Sequence, residues 1–181
     1  MKKRVWDSRK ISISAMFLAI GWLLPFLSGQ IPQVGNMLCL IHIPAFLTGF
    51  LLGPWYGMAI GFLIPLTRSM IFGMPPLYPK ALCMAFELGA YGFLAGGLLK
   101  KIKGYGKISE THVIYISLVL AMLGGRLVWG AAMFCCGMVS ASPLTWKMFL
   151  TEAFINAWPG ILIQICLLPA LIKIMRHQWI E

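Results

Sequence analysis

Between residues 11 and 174 only one stretch, Lys100 to Thr111, is clearly hydrophilic. Every other interruption of the apolar sequence is a short cluster built around Gly, Pro or Ser. That pattern constrains the fold more than any motif. A helix crossing a bilayer needs about 20 apolar residues. The chain therefore divides into six predicted spans at about 11–27, 37–52, 55–72, 79–99, 112–138 and 148–174. The breaks have physical causes. Gly29, Pro32 and Gly35 separate the first two spans, and Gly53-Pro54 forms either a tight turn or a kink in one passage. Gly73-Met74-Pro75-Pro76 ends the third, and Ser140 to Pro143 divides the last two. The expected architecture is an all-α integral membrane protein. It is a single domain over 1–181, a six-transmembrane-helix bundle with short loops. Composition agrees: 60% of residues are hydrophobic and 11% are charged, too few to clothe a water-soluble globule. The N-terminal run imitates a signal peptide but lacks a small-x-small cleavage site, so it reads as a retained first helix.

A formal charge of +10 would suggest nucleic acid in a soluble protein. Here it orients the bundle instead. Lys2, Lys3, Arg4, Arg9, Lys10, Lys100, Lys101, Lys103, Lys107, Lys173 and Arg176 fall on one side, and only Lys80 and Lys147 fall on the other. The positive-inside bias predicts both termini in the cytoplasm and residence in the plasma membrane. No partnership with nucleic acid is expected.

Ionisable groups inside spans are costly and default to functional candidates. His42, Arg68, Glu87, Arg126, Glu152 and Asn156 fall roughly 6 to 18 Å below the outer mouths of their spans. They cluster in the outer half, as a cavity open to the outside requires. The bland alternative is two internal ion pairs that hold helices together. His42 alone reads equally as a hydrogen-bonded interior histidine. Glu152 and Asn156 share a helix face. Trp158 suits stacking on a planar ligand or anchoring at the interface. Gln30, Gln33, Asn36 and Tyr78 lie in outer loops that fit a lid, or are plain connections.

The five cysteines lie in apolar stretches without C-x-x-C spacing and read as buried hydrophobes, not as metal ligands or disulfides. No phosphate loop, H-E-x-x-H, Cys/His cluster or G-x-S-x-G is present. An enzyme is not expected, nor is a cofactor or metal. No pair of visibly interrupted spans is present. A substrate layer without an engine implies energy from a partner. Small residues four apart recur at Ala15/Ala19, along Gly49, Gly53, Gly57 and Gly61, and at Gly92/Gly96. The glycines read as packing inside the bundle.

The chain resembles the S components, the substrate-binding subunits, of energy-coupling factor (ECF) vitamin transporters. The resemblance rests on length, six spans, a basic N-terminus, Ala15-x-x-x-Ala19, the stretches QIPQVGNMLCLIHIP (30–44) and GFLIPLTRSMIFGMPP (61–76), and Met84-Ala85-Phe86-Glu87-Leu88. It has the look of the broad family that includes pantothenate-, folate- and riboflavin-type S components. The resemblance implies capture of a vitamin from outside. Docking on a coupling transmembrane protein with two cytosolic ATPases follows, and the S component topples to release its cargo. It also implies that Ala15 and Ala19 face the coupling protein. The substrate-binding candidates are then Asn36, His42, Arg68, Glu87, Arg126, Glu152, Asn156 and Trp158. Two arginines tilt the substrate toward an acidic vitamin such as pantothenate. Two other functions stay open: a self-contained small secondary transporter or channel, and a structural membrane subunit without ligand.

Overall fold

The structure, a computed structural model, describes residues 7–28, 37–104, 106, 108–139 and 145–179. Among them every regular element is helical. Helix α1 spans Ser8–Leu23 and tightens into a 3-10 turn at Leu24–Ser28. The others are α2 (His42–Leu52), α3 (Pro54–Phe72), α4 (Leu82–Lys103), α5 (Glu110–Val139), the short α6 (Trp146–Leu150) and α7 (Trp158–Trp179). Five helical stretches are long and apolar enough to cross a membrane: Ser8–Leu27, Pro54–Phe72, Leu77–Lys103, Glu110–Met138 and Trp158–Arg176. Large apolar side chains such as Met70, Leu127, Met138 and Ile174 stand exposed on these helices. Lipid is the solvent that tolerates them.

Two predicted spans differ. The second is an 11-residue helix, about 16 Å long, roughly half the hydrocarbon thickness. Its residues His42 to Phe50 are all buried. A helix apolar all round packs inside a protein, and α2 is sheathed by α1, α3, α4 and α7. The last span starts at Trp158 rather than near 148. Residues Thr151–Ile155 form a wide π turn closed by the Asn156 amide donating to the Thr151 carbonyl at 2.8 Å. Pro159 has no amide hydrogen to offer the turn before it, so the α-helical ladder cannot run through this point. The predicted last span is therefore interrupted in the structure.

Gly53, with φ of 105°, caps α2, and Pro54 opens α3. The kinked single passage is thus replaced by two separate helices that pack on one another. Helix α4 is the centre, flanked by α2, α3 and α5. Glycines bring three backbones together there. A Cβ on Gly92 would overlap the Gly57 carbonyl, one on Gly49 would overlap the Gly92 carbonyl, and one on Gly96 would lie 2.5 Å from the Gly49 oxygen. The predicted packing role holds for Gly49, Gly57, Gly61, Gly92 and Gly96, because no other residue permits such approach. A Cβ on Gly53 would meet nothing within 4 Å, and that residue serves the turn instead. Phe17, Phe46, Ile64, Leu88, Leu118, Leu168 and Ile172 fill the core around this seam.

The two ends of the bundle differ chemically. At the end where α1 and α5 begin, Glu110 binds Lys103 at 2.5 Å and Arg176 at 2.8 Å, tying α4, α5 and α7. The Asp7 amide donates to the Tyr56 hydroxyl at 2.8 Å on the same end. At the opposite end Gly73, in the left-handed region with φ of 70°, stops α3. The chain then passes through the turn Leu77–Ala81 into α4.

Candidate functional site

Glu87 and Tyr91 lie one turn apart on α4 and so share a face. Arg126 reaches them from α5. One carboxylate oxygen of Glu87, Oε1, accepts from Arg126 Nη1 at 2.7 Å and from the Tyr91 hydroxyl at 2.7 Å. Glu87 is 2% exposed and Arg126 9%. A buried pair of this kind survives only because attraction and added hydrogen bonds offset desolvation. Gly125 makes the close approach feasible: a Cβ there would overlap the Tyr91 ring.

The network continues into α2. Arg126 Nη2 donates to Cys39 Sγ at 3.7 Å. Cys39 has φ of 50°, a left-handed conformation strained for a residue with a side chain. Its carbonyl accepts from the His42 amide at 3.1 Å and from Gln164 Nε2 of α7 at 3.2 Å. Gly160, one turn before Gln164, lets α7 approach: a Cβ there would lie 2.6 Å from the Met37 carbonyl. His42 is buried, and its Nδ1 has no hydrogen-bond partner among the described residues. Its ring meets Tyr91 edge-on at 5.3 Å, while Phe46 stacks on Tyr91 at 4.7 Å. Strain and an unpaired buried nitrogen beside an ion pair are the features that a binding site sustains at a cost in stability.

The other candidates are placed elsewhere. Arg68 on α3 is 5% exposed. Its guanidinium lies against the rings of Phe26 and Phe72, 5.6 and 5.5 Å from their centroids, and the two rings meet each other edge-on at 5.3 Å. Nη1 reaches the Met74 carbonyl at a long 3.4 Å. No acid pairs with Arg68 among the described residues. Glu152 accepts from Asn156 Nδ2 at 3.1 Å in an exposed setting. The two internal ion pairs that the charges allow are thus one pair, Glu87–Arg126. Trp158 is 58% exposed and outside the network. Asn36, Gln30 and Gln33 lie outside the described residues. Ala15 and Ala19 are both exposed on α1. Among the described residues no group of three His, Cys, Asp or Glu is arranged to hold a metal ion.

The family model of the ECF transporter substrate-specific component matches residues 9–172. The chain belongs to this family. Its match includes all of α1 after its first residue, α2 through α6, and most of α7. Neither the curated proteins nor the solved structures yield a match. Membership makes the protein a multi-pass plasma-membrane subunit that binds a small-molecule substrate. It works with an ECF module of coupling protein and ATPases. The family is one of transporter subunits, not of enzymes.

Tyr91, Cys39 and Gln164 join the network without having been singled out as ligands by the sequence. One signal was available: Tyr91 follows Glu87 by four residues, and a phenol one turn from a buried acid is a ready donor.

Proposed function

We propose that this S component captures a vitamin bearing a carboxylate or phosphate, with pantothenate the first to test. It hands its cargo to the coupling protein and two cytosolic ATPases. The observation that carries this reading is the contrast between the two buried arginines. Arg126 is committed to Glu87 at 2.7 Å. Arg68 is buried among rings with one long hydrogen bond. A guanidinium has five donors suited to a planar anion. Arg68 therefore offers the anion contact, and His42, Glu87, Arg126 and the Cys39 turn form a largely neutral polar wall. Glu152, Asn156 and Trp158 contribute from the rim, and Asn36 is carried as a further candidate from the sequence.

The orientation belongs to the same proposal. Six passages, with α2 as a buried half-helix in the second, put both termini in the cytoplasm under the positive-inside bias. Arg68 and Gly73 then lie at the outer end. Ala15 and Ala19 form a small-residue patch on α1 on which the coupling protein seats. The test is ATP-dependent uptake with the coupling module present. Ala15→Leu with Ala19→Leu is expected to keep substrate binding and abolish uptake. Unchanged uptake removes the docking assignment. Uptake in vesicles without the ATPases makes the chain a self-contained transporter instead.

A further inference from the structure

Cys83 and Cys136 meet at the end of the bundle where α4 begins and α5 ends. They are 53 residues apart in sequence, and their sulfurs are 3.6 Å apart. Cys83 is fully buried and Cys136 is partly open, while Cys135 beside it is exposed. The Tyr78 hydroxyl donates to the Cys136 carbonyl at 3.0 Å. That bond fixes the last turns of α5 against the turn that leads into α4. All five cysteines are free thiols in the structure, and Cys135 and Cys166 are exposed where the sequence reading had them buried. The polar network around Glu87 makes no use of the Cys83 or Cys136 thiol.

We propose that Cys83 and Cys136 are a reversible oxidation site, a dithiol that closes to a disulfide by exchange with a low-molecular-weight disulfide. The Cys136 thiolate, reached from the open side, attacks one sulfur of the oxidant R–S–S–R. Its S–S bond breaks and one RSH leaves after taking up a proton. Cys83 then attacks Cys136 Sγ in the mixed disulfide, and the second RSH leaves. Two cysteine thiols have lost two protons and two electrons, and one external disulfide has become two thiols. This is ordinary thiol–disulfide exchange. The bond ties α4 to α5 one turn before Glu87. The oxidised protein therefore holds together the helix ends that flank the Glu87–Arg126 pair. Under the orientation proposed above, this end faces the outside, where disulfides persist.

The probe is oxidised glutathione, applied to the full-length protein in detergent. It is followed by alkylation and peptide mass spectrometry. The expected result is loss of two of the five alkylatable thiols and a linked peptide joining Cys83 to Cys136. Dithiothreitol restores both thiols. Cys135→Ser keeps the link and Cys83→Ser loses it. The melting temperature rises by several degrees on oxidation of the unaltered protein but not of Cys83→Ser. Five freely alkylated thiols overturn the proposal. So does glutathione left on Cys135 or Cys136, or a link through Cys135. These readouts need no substrate, so their failure is separate from failure of the transport reading.

Discussion

The α4–α5 centre and the entry to α7 carry the same kinds of residues and treat them in opposite ways. At the centre a buried acid and base pair at 2.7 Å, braced by a tyrosine and by glycine-lined backbone contacts. At the entry to α7 an acid meets an asparagine at 3.1 Å in an exposed setting, on a helix already interrupted before Pro159. The lesson is that membrane depth does not by itself make a site. Burial between helices does, because only there does a charge depend on a specific partner.

The comparison can be broken from the centre outward. Gly92→Leu should have the largest effect, since even a Cβ there overlaps the Gly57 carbonyl. No monodisperse protein is expected from size-exclusion chromatography in detergent; a well-behaved peak would mean that α3 and α4 separate freely. Next comes Arg126→Met, which strands a buried carboxylate and should cost about 3–5 kcal/mol. Adding Glu87→Leu should return most of that stability, as thermal unfolding would read. Equal loss in the single and double variants would show that the pair is not coupled. The smallest effect belongs to Glu152→Gln. An exposed substitution should stay within about 0.5 kcal/mol, and a shift as large as that of Arg126→Met would erase the contrast between the regions.

Several features were legible in the sequence for local reasons. Gly53-Pro54 announces a turn because glycine takes a positive φ and proline starts helices. The four-residue glycine spacing announces close helix contact. Arg126 and Glu87 stand out as charges in apolar runs. What was not legible depends on which helices become neighbours. Glu87 has two arginine candidates, Arg68 and Arg126, and nothing in a 3.6-residue period selects between them. The strained turn at Cys39 contains neither Gly nor Pro, so no local rule marks it. Helix α2 looked like a span because it is wholly apolar, and it is apolar because the other helices surround it. Pro159 was a visible breaker, and the apolar run around it masked its effect.

The bundle is proposed to hold a small anionic substrate through Arg68, the buried arginine that Glu87 does not engage. The most direct test is to purify the protein from its membranes, denature it, and identify any released small molecule by mass spectrometry. Arg68→Gln is processed in parallel. A vitamin bearing a carboxylate or phosphate, bound about one to one and lost in Arg68→Gln, is the predicted result. An empty protein that no such vitamin stabilises against heat would contradict it.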